Sequence, residues 1–250
     1  MAELRDVCAF LNKELVIKSV SDYCVNGLQF SGKASVSKIA FVVDITCHTI
    51  QKAIEEKCNM IISHHALIWK PPYVVTGVFA RRLKLLAQND ISVYTAHLPM
   101  DIHKKYSHGR IMADMLRLYS ISPFGYDDEK KVHFGVHGNV RREMPFKDLA
   151  DDISKKLGVD VAVYNYGKEN VSSIGIVSGG GGFAIEEAFE KGLDCFMTGE
   201  MKEDARLIAK DYGVNVIVAG HYETEQWGMK RLALTVSKKL KVETLFIPSH

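Results

Sequence analysis

Three segments of this sequence carry histidine at the end of a short apolar run, and two of them add a carboxylate. The residues concerned are His64, His65, His97, Asp101, His221 and Glu225. The last four form two motifs of one spacing, in which the histidine stands four positions before the carboxylate. Apolar runs this short are typical of buried strands, and sites in open α/β folds form where such strands end. The pattern therefore predicts a metal or catalytic site built at strand ends.

The ligand types indicate which ions this site would take. Imidazoles and carboxylates without a nearby thiolate suit Zn, Fe, Mn, Co or Ni, and the sequence does not distinguish among these ions. A catalytic zinc ion normally takes three protein ligands, so a larger set predicts two divalent ions per chain, bridged by a carboxylate. Such a pair lowers the pKa of bound water toward neutrality, which predicts a hydrolase. The five predicted metal ligands are His64, His65, Asp101, His221 and Glu225.

The adjacent His64-His65 pair is unusual at a strand end, because successive side chains of a strand point to opposite faces. A lone histidine at such a place is more often a core residue or a capping group. If the chain turns there, both imidazoles reach one site. His221 and Glu225 start a predicted helix whose apolar stripe continues at Met229, so these two ligands share one helix face.

The elements that must position these residues alternate between strand and helix, which predicts an α/β fold. Strands are predicted over residues 38–44, 60–63, 91–94, 132–137, 159–164, 171–177 and 214–218. Helices are predicted over residues 4–15, 46–57, 79–88, 109–119, 146–157 and 183–191, with another from residue 221. Pro99 is expected to prevent a helix from starting at His97 and to hold that segment extended or turned.

The sequence also matches itself, which predicts two similar lobes from an internal repeat. Residues 39–43 match 174–178, and residues 60–63 fall on 195–198 at the same offset. The third strand needs a shorter offset, and the loop at residues 70–73 offers a place for the extra residues of the first half. The alternative is that buried strands resemble one another because all are rich in Ile and Val.

We expect a first lobe over residues 1–125 and a second over residues 126–250. The metal site would then occupy the cleft between them. The turn-rich, charged segment at residues 122–129 is the expected linker, and the C-terminal helix and strand are expected to pack back on the first lobe.

Composition restricts the class of protein. The chain has 250 residues, 47% of them apolar, and a net charge of +2 with histidine neutral. With so small a net charge, the chain has no strong electrostatic field that would require a nucleic-acid or membrane partner. Five cysteines without a C-x-x-C motif favour buried thiols in a reducing cytoplasm. No signal core or membrane-spanning run is apparent, which predicts a cytoplasmic protein.

Four consecutive glycines, Gly179 to Gly182, lie between a predicted strand and a predicted helix. Bare backbone N–H groups at a helix start bind anions, so one interpretation is a loop that faces an anionic part of a substrate. The established dinucleotide and P-loop patterns are absent. The alternative is a turn that lets two backbones approach closely.

Together the motifs resemble the GTP cyclohydrolase 1 type 2 homologues, a family of NIF3-like dinuclear metal proteins, in its short form without an inserted domain. The resemblance spans nearly the whole chain. The motifs are Asn26-Gly27-Leu28-Gln29, Ser63-His64-His65, Tyr94-x-x-His97-Leu98-Pro99-Met100-Asp101-x-His103, Thr198-Gly199-Glu200-Met201-Lys202 and Gly220-His221-Tyr222-x-Thr224-Glu225.

The resemblance implies a two-lobed α/β protein with a dinuclear metal site, assembled as a toroidal homohexamer. It places the metal ligands on the five residues named above, with Glu225 as the bridge, and it places His97 and His103 near the metals. Two function classes follow. One is a metal-dependent hydrolase of a small heterocyclic, nucleotide or amide substrate, with His97 or Glu200 as candidates for proton transfer. The other is a ring-shaped binding or regulatory protein that engages nucleic acid or a protein partner.

Overall fold

The computed structural model describes residues 1–69 and 74–249 of the chain. It divides them into two compact units: unit 1 comprises Met1–His103 with Gly228–His250, and unit 2 comprises Lys104–Trp227. The boundaries therefore lie elsewhere than at residue 125, and the C-terminal segment is grouped with the N-terminal one. The predicted insertion at residues 70–73 lies outside the described residues.

Unit 1 is an α/β unit built on a mostly parallel sheet. Its sheet has the order β13-β4-β5-β6-β2 over the described residues, with β2 antiparallel to β6 and the other pairs parallel. The elements before residue 104 are β1 (Ala2–Glu3), α1 (Leu4–Glu14), β2 (Gly27–Phe30), β3 (Ser35–Val36), β4 (Lys38–Val42), α2 (Cys47–Glu55), β5 (Met60–Ser63), α3 (Gly77–Gln88), β6 (Ser92–Thr95) and α4 (Leu98–Asp101). Within the part described, β1 and β3 pair separately.

Unit 2 has a mixed sheet in the order β7-β8-β10-β11-β12-β9, as far as the structure describes it, with β10, β11 and β12 parallel. Its elements are α5 (His108–Met115), β7 (Tyr119–Asp127), β8 (Val132–Pro145), α6 (Phe146–Leu157), β9 (Ala162–Tyr164), β10 (Asn170–Val177), α7 (Ile185–Glu190), β11 (Cys195–Thr198), α8 (Glu203–Tyr212) and β12 (Asn215–Val218). The helix α9 (His221–Leu240) begins in unit 2 and ends in unit 1, where β13 (Glu243–Phe246) pairs with β4.

The α/β class predicted from the sequence is confirmed, and its elements follow the apolar patterning. The predicted helix over residues 146–157 and the predicted strand over residues 60–63 are found at these positions. Each sheet buries its apolar strands against helices, with Ile153 of α6 in the core of unit 2 and Ile50 of α2 in that of unit 1. Further along α9, Met229 is fully buried as the apolar stripe requires.

Two sequence predictions about local structure are wrong. The expected linker at residues 122–129 is largely strand, because β7 pairs antiparallel with β8 and buries Phe124 completely. The segment after His97, expected to be extended or turned, is the short helix α4, which begins at Leu98 and has Pro99 in its first turn. Proline is accepted in a first helical turn because the N–H that it lacks would have no partner within the helix.

The described cysteines are all free thiols, and three of them, Cys24, Cys58 and Cys195, are buried. Burial raises the pKa of the Cys58 thiol to about 12 and that of Cys195 above its usual range. Both thiols are therefore protonated, as expected for structural cysteines. Among the described residues, no helix has both the length and the apolar character needed to cross a bilayer.

Candidate metal centre

His64 lies immediately after β5 and is completely buried. Its Nδ1 is 3.1 Å from the carbonyl oxygen of Ala96. A carbonyl only accepts hydrogen bonds, so Nδ1 carries the proton and Nε2 presents a lone pair. That Nε2 lies 3.6 Å from Oδ1 of Asp101, which ends α4. These two predicted ligands thus place one nitrogen and one oxygen atom near each other in the protein interior.

His65 is oriented by an acid that the sequence analysis did not identify. Its Nδ1 lies 2.7 Å from Oδ1 of Asp44, and Ser249 donates to the other oxygen of that carboxylate at 3.0 Å. The imidazole donates from Nδ1 because an ionised carboxylate only accepts. The chain bends after β5, and the ring centroids of His64 and His65 are 5.0 Å apart with an angle of 42° between planes. Both rings therefore reach one region, as expected if the chain turns.

His97 is held by a second acid missed from the sequence, Asp22. Nδ1 of His97 lies 2.9 Å from Oδ1 of Asp22, and the backbone N–H of Leu98 donates to Oδ2 at 2.9 Å. Asn26 donates from its amide to the same oxygen at 2.8 Å and accepts the backbone N–H of His97.

Burial raises the pKa of the Asp22 carboxyl, but the hydrogen bonds from His97, Asn26 and Leu98 outweigh it. The pKa therefore lies well below its usual range. The carboxylate is thus ionised at neutral pH and only accepts, so His97 donates from Nδ1 and keeps a lone pair on Nε2. Only the Asn-Gly motif at residues 26–27 gave a sequence signal for this arrangement.

These three imidazoles form one group in unit 1. Ring nitrogens of His64, His65 and His97 all lie within 4.8 Å of one another. Histidines that bind metal ions usually donate their other ring N–H to a carboxylate or a carbonyl, and the same arrangement is found here. The donor chemistry of His64 and His65 therefore fits a divalent ion, with His97 beside them. His103 differs, because its Nε2 lies 3.0 Å from the carbonyl oxygen of Glu14.

In unit 2 the predicted ligands His221 and Glu225 lie on the first turns of α9. Nε2 of His221 is 3.2 Å from Oε1 of Glu225, and Nδ1 is 3.3 Å from Oε2 of Glu200. Glu225 is almost fully buried, whereas the side chain of Glu200 is 58% exposed. The spacing of four places both ligands on one helix face, as predicted, and Glu200 lies at their outer side.

Gly179 follows β10 and lies directly against this pair. Its backbone has φ +62°, and a Cβ built there would lie 2.3 Å from Oε1 of Glu225 and 3.2 Å from Nε2 of His221. Only glycine leaves the carboxylate and the imidazole where they are. Glycine at this position therefore allows His221 and Glu225 to keep their positions.

The glycine segment does not match the anion-binding interpretation. The N–H of Gly179 donates to Oγ1 of Thr224, and the N–H of Gly181 donates to Oγ1 of Thr198. The helix α7 that follows has only six residues, so it offers little of the dipole that anion binding uses. The segment instead lets the chain pass close to neighbouring residues, because a Cβ at Gly181 would lie 2.7 Å from Oγ1 of Thr198.

Residues 2–250 match the family model described as Duf34/NIF3 (NGG1p interacting factor 3). The chain belongs to the Duf34/NIF3 family. The resemblance stated from the motifs is thus confirmed. A relative from Pyrococcus abyssi, named GTP cyclohydrolase 1 type 2 homolog, is 40% identical over 248 residues, covering 99% of this chain and 98% of the relative. A relative of the same name from Deinococcus radiodurans is 35% identical, covering 97% and 91%.

Solved structures of family relatives share the fold. A protein named ybgI, described as of unknown function, superposes with a TM-score of 0.93 at 28% identity, covering 100% of this chain and 99% of that one. A protein from Thermus thermophilus gives a TM-score of 0.86 at 30% identity, covering 98% and 97%. The mixed α/β architecture is therefore common to this chain and those members.

Proposed function

We propose that this protein is a metal-dependent hydrolase of a small heterocyclic, nucleotide or amide substrate. In this proposal two divalent ions would be held by His64, His65, Asp101, His221 and Glu225. The observation that carries the proposal is the hydrogen bonding of the imidazoles of unit 1. His64, His65 and His97 each engage Nδ1 with an oxygen acceptor, so each offers Nε2 as a lone-pair donor.

Neither set of ligands is large enough alone for two ions. Unit 1 supplies two histidines and a carboxylate, and unit 2 supplies one histidine and one carboxylate. Catalytic ions usually take about three protein ligands and keep a position open. We therefore propose that the two sets act together in a cleft. The strand pattern of each unit supports a duplicated origin, because β4, β5 and β6 form a parallel run in unit 1 and β10, β11 and β12 form one in unit 2.

The chain's own residues would orient the reactants and move protons. When bound, the divalent ions would supply Lewis-acid activation of a water molecule. His97 is placed to accept a proton on Nε2, since Asp22 holds the proton of the ring on Nδ1. Glu200 offers a second proton acceptor beside His221, and its exposure leaves it accessible to substrate. Proton transfer by positioned groups of this kind contributes roughly 10²- to 10⁴-fold to rates.

Metal content and turnover test the proposal together. The protein reconstituted with Zn, Mn, Fe, Co or Ni should hold close to two equivalents by elemental analysis. It should also hydrolyse at least one member of a panel of cyclic nucleotides, guanosine triphosphate, phosphate esters and amides. Asp101→Asn keeps the side-chain shape but removes the charge next to His64, so it should lose both metal and turnover.

A matched control is Asp151→Asn, which removes an exposed carboxylate paired with Lys147 on α6 and should change neither quantity. One equivalent or less in the wild-type protein would refute the dinuclear site. Turnover that survives Asp101→Asn, or none across the panel, would refute the hydrolase. The ring-shaped binding protein would then be the better description.

A further inference from the structure

Trp69 stands beside the imidazoles of unit 1 and has no role in the proposed hydrolysis. Its ring centroid is 5.1 Å from that of His97, with the planes almost perpendicular at 81°. It is 6.2 Å from that of His65, with the planes tilted by 43°. The side chain is only partly buried. Part of the indole surface is therefore accessible at the edge of a group of polar rings.

The backbone around Trp69 is tied down on two sides. The amide of Gln29, on β2, donates to the carbonyl oxygen of Ile68 at 3.1 Å and accepts its N–H at 2.9 Å. Cys24 forms an antiparallel β-bridge with Trp69 itself. Residues 22–25 alternate between buried and exposed, so the buried Asp22 and Cys24 are on one side of the strand-like segment. The segment that places Asp22 against His97 therefore also supports the backbone of Trp69.

An indole on a backbone held by two such contacts suits ligand binding because little backbone conformational entropy is lost when a ligand meets it. Small-molecule sites combine aromatic walls with a few polar groups that fix orientation. Here the indole supplies the wall, and the imidazole of His97 supplies the polar group at 5.1 Å between ring centroids. Packing alone would also bury an indole against its neighbours, so the two roles need an experiment that separates them.

We propose that Trp69 is the stacking surface for a planar aromatic or heteroaromatic ring of the ligand, whose polar atoms then meet His97. This inference rests on the proposed function and narrows its substrate to compounds that carry such a ring. Simple phosphate esters and aliphatic amides fall outside that class. Indole stacks well because offset and edge-to-face aromatic pairs add interaction energy to that gained from burying apolar surface.

Fluorescence of Trp69 gives a direct readout of binding. The chain has two tryptophans, so the variant Trp227→Phe leaves Trp69 as the sole indole. Trp227 packs against the core of unit 2. Titration of this metal-loaded variant with guanosine and with nicotinamide should quench its emission in a saturable manner. Ribose, which lacks an aromatic ring, should not.

Calorimetric titration of Trp69→Ala and Trp69→Phe then measures the contribution of the ring. Loss of a stacking residue should weaken the binding of guanosine or nicotinamide roughly tenfold, whereas Trp69→Phe should retain it within about threefold. Metal content and melting temperature should match the wild type in both variants. If Trp69→Ala instead loses metal or melts early while its affinity for the rings is unchanged, Trp69 is a packing residue and the inference is wrong.

Absence of saturable binding of either ring compound to the metal-loaded protein would also overturn the inference. These readouts report binding and do not depend on turnover. A protein that binds the rings through Trp69 but hydrolyses nothing would therefore disprove the hydrolase alone. Unchanged kcat/KM for ring-containing substrates in Trp69→Ala would disprove the stacking role alone.

Discussion

Pairs of carboxylate and imidazole are the residue-scale feature that distinguishes this centre from a chance group of histidines. Asp22 accepts from His97, and Asp44 accepts from His65. Each pair fixes the tautomer and the orientation of its ring. Partners of this kind matter for function, because their loss typically costs about 10- to 100-fold in metal affinity or activity.

Replacing Asp22 by asparagine should free His97. The carboxylate accepts from the N–H groups of His97, Leu98 and Tyr23 and from the amide of Asn26. In the asparagine variant an NH₂ group would replace one carboxylate oxygen. It would then lie opposite N–H donors and could not accept their hydrogen bonds. We expect Asp22→Asn to destabilise the protein by about 2 kcal/mol in denaturant unfolding and to lower turnover roughly 10- to 100-fold.

The metal content of Asp22→Asn should stay close to that of the wild type, since His97 is not among the proposed ligands. The exposed Asp6→Asn is the matched control and should show neither effect. A variant with normal turnover would show that the tautomer of His97 is immaterial.

Gly179→Ala tests the close contact between the glycine segment after β10 and the ligand pair of α9. The added Cβ would meet Oε1 of Glu225 at 2.3 Å, and the flexible carboxylate must move away. Gly192 is the matched control, because it has φ +64° and no atom within 4 Å of an added Cβ. Both variants should lose about 1 kcal/mol of stability from the positive φ. Only Gly179→Ala should also lose bound metal in elemental analysis, and equal metal content in the two would contradict this assignment.

At the scale of elements, the strands β10 and β11 are joined by an acid that has no part in the proposed chemistry. Asp194, directly before β11, accepts from the N–H and hydroxyl of Ser172 and from the hydroxyl of Ser173 on β10. Lys168 donates to its other oxygen at 2.7 Å. These bonds fix the start of the strand that ends at Thr198, whose hydroxyl supports the glycine segment.

The pKa of Asp194 gives this element a defined pH dependence. Burial raises its pKa, but the hydrogen bonds of Lys168, Ser172 and Ser173 outweigh burial and lower it to about 2. The unfolded chain has a value near 3.9. Because the folded value is the lower one, the contribution of Asp194 to stability is fully present above about pH 4. It is lost as the pH falls toward about 2.

We expect Asp194→Asn to lower the free energy of unfolding at pH 7 by about 2 kcal/mol, since several charge-assisted hydrogen bonds are lost. The difference from wild type should shrink as the pH falls below about 4, which urea unfolding at several pH values would show. Lys168→Met is the matched control. The lysine side chain is 75% exposed, and an exposed partner contributes at most about 1 kcal/mol. A difference that persists undiminished at low pH would contradict the assignment.

At the scale of the whole molecule, the assembly implied by the resemblance remains a prediction. We propose a closed homohexamer, because closed symmetry is the common way for chains to bury apolar surface. Unit 2 exposes several large apolar side chains that an interface would cover: Phe183, Phe189, Leu207 and Tyr212. Light scattering at micromolar concentration should report six chains. A monomer at that concentration would contradict the proposal.

The sequence by itself determined the class of fold and the candidate ligands, because both depend on local order along the chain. Apolar periodicity predicted β5 and α6 at the residues where they occur. Spacing of four placed His221 and Glu225 on one helix face, and Nε2 and Oε1 lie 3.2 Å apart there. A bend after β5 explains how His64 and His65 reach one region.

Only the tertiary structure decided which residues hold these ligands in place. Asp22 is remote in sequence from His97, and Gly179 is remote from Glu225, yet each pair is in contact. No local pattern encodes such pairs, because they arise when separate strands and helices pack together. The same reason explains the misplaced linker, since β7 is a strand through its long pairing with β8. A proline in the first turn of α4 was misread because its neighbours alone do not show where a helix begins.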